Sequence, residues 1–575
     1  GLTDQAEISG TNSRTRVIQL LAGMMVGLGF GLIMSIVSNA FVAGVLWLTS
    51  LRETGLAARF GLDPIVASLL PLICLLMAAF LILQVRRLFG ISRWHGPADS
   101  IFAAHRTDNE LDVKAGFGST LAALISAGGG ASVGQYGPLV HFGATMGSAF
   151  RTMTGGMLTT DVFIGCGVAG AIAAGFNAPI AGVVFAHEAI LRHFSMRAIA
   201  PIAVASISSA WFSQQIFGSS PLLDFASMSL DLAVVLPAAL VLGPVFGLVA
   251  VLFMVCVRGS LRFAAGSGWS PARLVFMAAS ITGVVGMFVP EVLGLSSGPL
   301  RIMLEGGYPD TYLLVLLLGK LLLTALCIGF GLFGGVFSPA LFVGAAAGAI
   351  CSRFVSGLIG IAAAPALAIC GMAAVASAVI GAPVAGVMII LEMTMNYELA
   401  LAAMLSVVTC SMISHLMFGH SFFDRQLLDR GIDVSQGRGH IEMMETPVID
   451  IVSQDFALMD IAETPERAVM KLVAADQSEG YLVINGNKLV GKVALARLVS
   501  RKNNPALESL ADPQPLSIKH DASLQQAMEV ASGFVGESIP VVDRDTGRLY
   551  GVVTEADLFQ LYLSLQTRIT DLERS

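Results

Sequence analysis

Two 22-residue segments, 204 positions apart in an apolar chain, carry one pattern. Residues 167–188 read GVAGAIAAGFNAPIAGVVFAHE and residues 371–392 read GMAAVASAVIGAPVAGVMIILE, with nine of 22 positions identical and no gap. The matches include Ala178/Ala382, Pro179/Pro383, Ala181/Ala385, Gly182/Gly386, Val183/Val387 and Glu188/Glu392. Duplicated hydrophobic halves broken by Gly and Pro are built to hold a solute where the halves meet inside a bilayer. The pattern predicts a protein that moves something across a membrane.

The distribution of charge supports this and sets off a second region. The chain is 55% hydrophobic over 575 residues, with a mean hydropathy of +0.77. Residues 1–423 hold 18 Lys+Arg and 17 Asp+Glu, whereas residues 424–575 hold 15 and 23. The first part reads as membrane and the rest as an acidic, water-soluble appendage, a balance that argues against nucleic-acid binding. All seven cysteines (Cys74, Cys166, Cys256, Cys327, Cys351, Cys370, Cys410) fall in apolar stretches without metal or disulfide spacing, so they read as small hydrophobes. The polar residues 1–16 precede an apolar run too long for a cleavable signal. Arg14 and Arg16 before that run favour a cytoplasmic N-terminus, and the cysteine-free tail suits the same compartment.

The run 17–50 exceeds the roughly 20 residues that cross a bilayer, so its helix must tilt or extend beyond it. A second span covers about 65–85, and residues 90–112 are polar and turn-rich. Apolar stretches of uneven length follow near 116–132, 138–150, 162–190, 198–218, 231–257, 273–290, 311–329, 338–350, 356–378, 382–394 and 399–418. Two dense clusters interrupt them, AGGGASVGQYGP at 127–138 and GFGLFGGVFSP at 329–339. Broken helices at membrane depth survive only where the loose backbone is buried in protein or faces a watery cavity; tight helix packing is the plainer use of such glycines. Gly329-x-Gly331-x-x-Gly334 also fits a dinucleotide fingerprint, but it lacks the strand–helix–strand context that motif needs.

The repeated segments ending in Glu188 and Glu392, GGVFSP from Gly334 to Pro339, and GQYGP at 134–138 together resemble the CLC family of chloride channels and chloride/proton antiporters. The resemblance covers nearly the whole chain. It implies an all-α membrane domain of two inverted repeats with broken helices, residues 17–430, with halves at about 17–218 and 231–423. It further implies a homodimer with a separate anion path in each subunit. By this resemblance Gly335, Val336 and Phe337 match one anion-binding loop, and Gly134, Gln135, Tyr136 and Gly137 match its first-half counterpart. The physics agrees: a helix start aims free N–H groups and a positive dipole end at one point, and so holds an anion without a full charge.

The departures from the family pattern bear on mechanism. The usual first-half motif is Gly-(Lys/Arg)-Glu-Gly-Pro, whose glutamate gates the path and carries protons; here Tyr136 stands in its place. A phenol with a pKa of about 10 stays neutral where a perturbed carboxyl would titrate. It can donate a hydrogen bond to an anion or obstruct the path. The second proton-relaying glutamate falls at Ala189, and a tyrosine anion ligand falls at Phe423. The Gly-Ser-Gly-Ile-Pro ligand motif has only Gly96–Ser100 as its nearest stretch. The family's glutamate pair is therefore gone, and the carried anion need not be chloride. Glu188 and Glu392, related by the repeat, are expected to accept hydrogen bonds at helix ends rather than to carry ions. Lys320, alone among leucines, is expected to snorkel to an interface, with lining a vestibule as the alternative. His187, beside Glu188, is the nearby group that titrates near neutrality and the candidate for a substitute relay.

The tail divides into two α/β units, 446–502 and 506–565, each with a helix, a strand, a turn and a strand; Asn485-Gly486 and Thr546-Gly547 mark the turns. They resemble a CBS-domain pair. In that resemblance Thr554 and Asp557 of GVVTEAD would hold the ribose of an adenine nucleotide, while the first unit has Ala494 and Arg497 at the equivalent places. A purely structural dimerisation tail is the competing reading. The expected function is passage of chloride or another small anion, channel-like or uncoupled from protons, with no cofactor required. Antiport through a rewired relay and a poorly conducting anion or nucleotide sensor are the alternatives. An enzyme is least favoured, because no nucleophile–base pair stands out.

Overall fold

A computed structural model of the chain describes residues 2–106, 108–151, 153–219, 223, 225, 228–359 and 365–574, with side chains between residues 13 and 571. It separates into two compact units, Gly1–Ile432 and Asp433–Ser575.

Among the described residues, every element of the first unit is a helix. Its first helix, Leu2–Ser50, passes through a π-helical turn (Leu51–Gly55) into Leu56–Phe60. At 1.5 Å per residue the 49 residues of Leu2–Ser50 reach about 74 Å, more than twice the roughly 30 Å of a hydrocarbon core. Among the described residues, seven helices are long and apolar enough to cross a bilayer, including Leu70–Phe89, Leu232–Gly266, Asp310–Phe330 and Phe337–Ile359. Shorter apolar helices lie between them: Thr160–Phe176, Pro179–Leu191, Ala366–Ile380 and Pro383–Thr394. These shorter pieces are broken at their starts, where Pro179 and Pro383 each take the first helical position. All seven cysteines are free, and four of them are fully buried.

The repeat seen in the sequence is a repeat of packing. The Tyr136–Ala149 helix crosses Thr160–Phe176 at Gly143 and Gly167, where an added Cβ would lie 2.3 and 1.9 Å from the opposing carbonyl oxygen. The Phe337–Ile359 helix crosses Ala366–Ile380 at Gly344 and Gly371 in the same manner, at 2.3 and 2.4 Å. Gly167 and Gly371 open the two matching segments, and Gly143 and Gly344 each stand nine residues past Gly134 and Gly335. Only glycine permits backbones to approach this closely.

Glu188 and Glu392 tie the halves together. Glu188 accepts the Val384 and Ala385 amides at 3.2 and 2.9 Å; Glu392 accepts those of Ile180 and Ala181 at 3.1 and 2.5 Å. Each carboxylate thus satisfies the orphan amides of the other half's short helix. A reciprocal pair of contacts of this kind is what a twofold relation between repeats produces. The carboxylates accept hydrogen bonds at helix starts, the structural role that their symmetry in the sequence implied.

Lys320 departs from expectation. It does not snorkel: the side chain is fully buried, and Nζ donates to Val292 O, Gly294 O and Ser296 Oγ at 3.2, 2.9 and 2.8 Å. Three acceptors around one ammonium replace water well enough to hold a cation inside. The signal was misread because a lone lysine among leucines looks the same whether its head reaches an interface or a ring of carbonyls.

The second unit holds two sheets of identical topology. In the first, β1 (Ala457–Asp460) pairs parallel to β2 (Glu479–Ile484), which pairs antiparallel to β3 (Lys488–Ala494). In the second, β4 (Ile518–Lys519), β5 (Ile539–Val542) and β6 (Leu549–Val553) repeat that order. Each sheet carries one bulge in the middle strand's antiparallel pairing. The two hairpin tips pair through Leu489 N to Gly547 O (3.0 Å) and Leu549 N to Asn487 O (2.8 Å). Tyr481, Val483, Val542, Leu549 and Val552 form a core shared by both sheets.

Candidate functional site

Both Gly-rich clusters end one helix and begin another. Gly130 (φ +114°) and Gly331 (φ +99°) close the helices Val113–Gly129 and Asp310–Phe330, a backbone conformation for which glycine pays no Cβ penalty. Four residues later the chains meet. Gly134 N donates to Gly335 O at 2.9 Å and Gly335 N to Gly134 O at 2.8 Å. A Cβ on Gly134 would lie 2.6 Å from Ser338 Cβ, and one on Gly335 would lie 3.0 Å from Gly137 N. Immediately beyond this clasp the helices Tyr136–Ala149 and Phe337–Ile359 begin.

The clasp narrows the list of anion ligands read from the sequence. The Gly134 and Gly335 amides are spent on each other. Those of Tyr136, Gly137 and Phe337 have no backbone acceptor among the described residues, as befits a first helical turn. Gln135 O and Val336 O accept the Leu139 and Ala340 amides at 3.2 and 3.0 Å, which fixes both helix starts.

A third helix start joins them. Gly96 caps the helix Pro97–His105, and Pro97 Cγ lies 3.5 Å from the Cβ position of Gly137. The stretch Gly96–Ser100 therefore does reach the site, although its serine does not line the cavity that Tyr136 borders. Ser100 Oγ instead sits 2.8 Å from His141 Nδ1 inside the protein. Trp94, which nothing in the composition of its neighbourhood singled out, donates from Nε1 to Gly331 O (3.1 Å) and stacks on Phe333 with centroids 5.9 Å apart.

Tyr136 is set in an aromatic cluster. Its ring stacks on Phe176 with centroids 3.9 Å apart and meets Phe337 edge-on at 5.7 Å; Phe176 and Phe337 meet edge-on at 5.4 Å. Gly175 makes room, since a Cβ there would lie 2.9 Å from the Tyr136 ring. The Tyr136 ring borders a cavity of about 290 Å³ that also meets Gln135, Phe176, Arg301, Ser338 and Met393. The phenol hydroxyl has no hydrogen-bond partner among the described residues, and neither does Gln135 Oε1. The cavity thus combines an apolar wall with a hydroxyl, a side-chain amide that can turn its NH₂ inward, and a guanidinium. Arg301, on the short helix Ser297–Leu304, escaped the reading of the sequence because only the fold brings it to this wall.

Phe423 lies buried in the first turn of Phe422–Asp429 against Phe422, ring centroids 5.9 Å apart. That helix packs on the Pro97 helix, but Phe423 does not line the cavity beside Tyr136. Ala189 is buried in a π-helical turn, Ala186–Leu191. His187, also buried, has Nδ1 3.0 Å from His193 O and stacks on Phe194.

In the tail, Thr554 and Asp557 cap the helix Glu555–Arg574. Thr554 N donates to Asp557 Oδ2 at 3.3 Å and Asp557 N donates to Thr554 Oγ1 at 3.1 Å. One Asp557 oxygen stays open to a ribose hydroxyl, so the pair fits the expected sugar contact only in part. A cavity of about 630 Å³ lies elsewhere in the tail, against Lys492, Ala494, Arg497, Asp512 and Phe534.

Comparison with known proteins places these features. The family described as "Voltage gated chloride channel" matches residues 74–415, and the CBS domain matches residues 507–564. The chain is 27% identical to a voltage-gated ClC-type chloride channel ClcB of Escherichia coli O81 (strain ED1a) over 363 residues, 60% of this chain and 84% of that one. Its fold is similar to that of a slow cyanobacterial Cl⁻/H⁺ antiporter, with a TM-score of 0.63 and 21% identity over 71% of this chain and 97% of the other. It is also similar to a eukaryotic CLC transporter, with a TM-score of 0.62 and 19% identity over 94% and 98%.

Proposed function

The chain belongs to the voltage-gated chloride channel family and is an integral, multi-pass membrane protein, and from that premise we propose that it conducts small anions without moving protons. The observation that carries the reading is Tyr136 at the start of its helix, where the family's gating glutamate would stand. The first-turn amides of Tyr136, Gly137 and Phe337 hold the anion. The Tyr136 hydroxyl and the Gln135 amide complete its shell from the cavity side. Such a site binds through partial charges, which keeps occupancy reversible and permits release.

The Tyr136 ring also narrows the passage, because it is held on Phe176 and Phe337 at close range. Slow permeation follows from that obstruction. We read the protein as a homodimer with one path per subunit and with both ends in the cytoplasm. The tail regulates it, with adenine nucleotide as ligand through the open oxygen of Asp557. Replacing Asp557 with Ala should then remove any effect of nucleotide on flux.

A flux screen over chloride, bromide, nitrate and fluoride in reconstituted vesicles tests the reading. Uptake of at least one of them down its own gradient is expected; vesicles no more permeable than empty controls to all four would contradict it. A second reading, antiport through histidines, draws on one arrangement: His187 Nδ1 lies 3.0 Å from His193 O, and His193 Nε2 lies 3.4 Å from Asp161 Oδ2. Proton movement that disappears in His187→Gln would favour it.

A further inference from the structure

Beside the start of the Pro97–His105 helix, five arginines surround a single cavity. Arg93, Arg258, Arg262, Arg425 and Arg430 line a space of about 410 Å³ with Asp429 and an apolar floor that includes Leu261 and Phe422. Two carboxylates answer the five guanidinium groups. Asp99 takes Arg93 (2.9 Å) and Arg430 (3.1 Å); Asp429 takes Arg258 (2.8 Å) and, at 3.8 Å, Arg262. Arg425 spends one nitrogen on Phe418 O at 3.0 Å, while its Nε is buried with no partner. Three positive charges are left over, and an uncompensated cluster of this size is costly unless an anion visits it.

The place and shape of the cavity say what kind of anion. Arg258 is the first charged residue of the helix Leu232–Gly266, after 26 uncharged residues, more than the roughly 20 that cross a bilayer, so the arginines belong to the polar end of that helix. A monatomic anion would leave most of such a space unfilled. Guanidinium forks match the paired oxygens of a phosphate group, and several forks match a group with more than one charge. We propose that this arginine pocket binds a phosphate-bearing anion, a lipid phosphate headgroup or a soluble phosphate. The ligand's extra charge neutralises the cluster and joins the helices Leu232–Gly266 and Phe422–Asp429 to the segment before Pro97.

The test reads binding rather than flux, so it stands apart from the conduction reading. The full-length protein in phosphatidylcholine nanodiscs is titrated with inorganic pyrophosphate at constant ionic strength, and its unfolding midpoint is followed. A parallel arm replaces part of the lipid with phosphatidic acid. A saturable rise in the midpoint is expected in at least one arm, and the responding arm identifies the source of the phosphate. Arg262→Gln with Arg425→Gln should weaken half-saturation by about tenfold or more, the loss expected when a charge-assisted contact is removed. Arg59→Gln with Arg273→Gln removes the same charge from exposed positions elsewhere and should leave it unchanged. Should the Arg262/Arg425 pair fail to fold, Arg262→Gln alone, an exposed side chain on a loose 3.8 Å ion pair, should still weaken the response severalfold. Midpoints that follow sodium chloride alone in both arms, or equal weakening in the two double variants, would overturn the proposal.

Discussion

At the scale of single residues, the proposed function turns on Tyr136. Its ring is fixed by stacking, and its hydroxyl is free to face an anion. Tyr136→Phe keeps the stack and removes one donor, so anion affinity should fall by about tenfold at most, the worth of one hydrogen bond. Tyr136→Ala removes the obstruction, and flux measured in vesicles should rise severalfold. Stability should fall by about 3–5 kcal/mol, because a buried aromatic leaves a cavity. Tyr136→Glu returns a titratable group, and flux should become pH-dependent within roughly pH 4–7. A pH-independent Glu variant would place the gate elsewhere. Lys320 is a second residue whose replacement is costly: Lys320→Met strands Val292 O, Gly294 O and Ser296 Oγ, and unfolding in detergent should show a loss of about 2–5 kcal/mol.

At the scale of elements, the short helices exist because each is capped by something distant in sequence. The amides at the start of Pro179–Phe185 are satisfied by Glu392, and those of Pro383–Thr394 by Glu188. Glu188→Ala or Glu392→Ala should each lower stability by about 1–3 kcal/mol without changing which anion passes. Because the two contacts close one clasp, the double variant should deviate from the sum by about 0.5 kcal/mol or more. In the tail, the turn between β5 and β6 is built around Asp543. The Thr546 amide first, then that of Asp545, holds its carboxyl down at about 2 against an ordinary 3.8. A depressed carboxyl stabilises the fold fully above its ordinary value and loses that contribution as pH falls through the folded value. Limited pepsin digestion of the full-length chain should therefore cut near β5–β6 faster at pH 2 than at pH 4, and Asp543→Asn should reduce that difference. An Asn variant with the wild-type contrast would assign the acid sensitivity to other groups, such as Asp521 beside Arg544.

At the scale of the whole molecule, the doubled motif carried the architecture. Nine identities in 22 residues led to two halves, and the same pair of glycine crossings recurs in both. The Gly-rich clusters located the helix tips, since a chain can break at membrane depth only for a purpose. Contacts that depend on folding were not legible. The Gly134–Gly335 clasp, the three acceptors around Lys320, the guanidinium of Arg301 and the stack of Tyr136 on Phe176 join residues 24 to about 200 positions apart. No local pattern announces such a meeting, because hydrophobic periodicity reports which face is buried and not what lies opposite. The strands β1 and β4 went unread for a related reason: four and two residues are too few to show alternation.

On the proposed function, these tips pass an anion with no proton in exchange. The most direct measurement is simultaneous recording of anion and proton movement in vesicles that hold the wild-type protein, started by an anion gradient at equal pH inside and out. Anion flux with no proton movement beyond the leak of empty vesicles is expected. Protons driven uphill at a fixed ratio to the anion would contradict it.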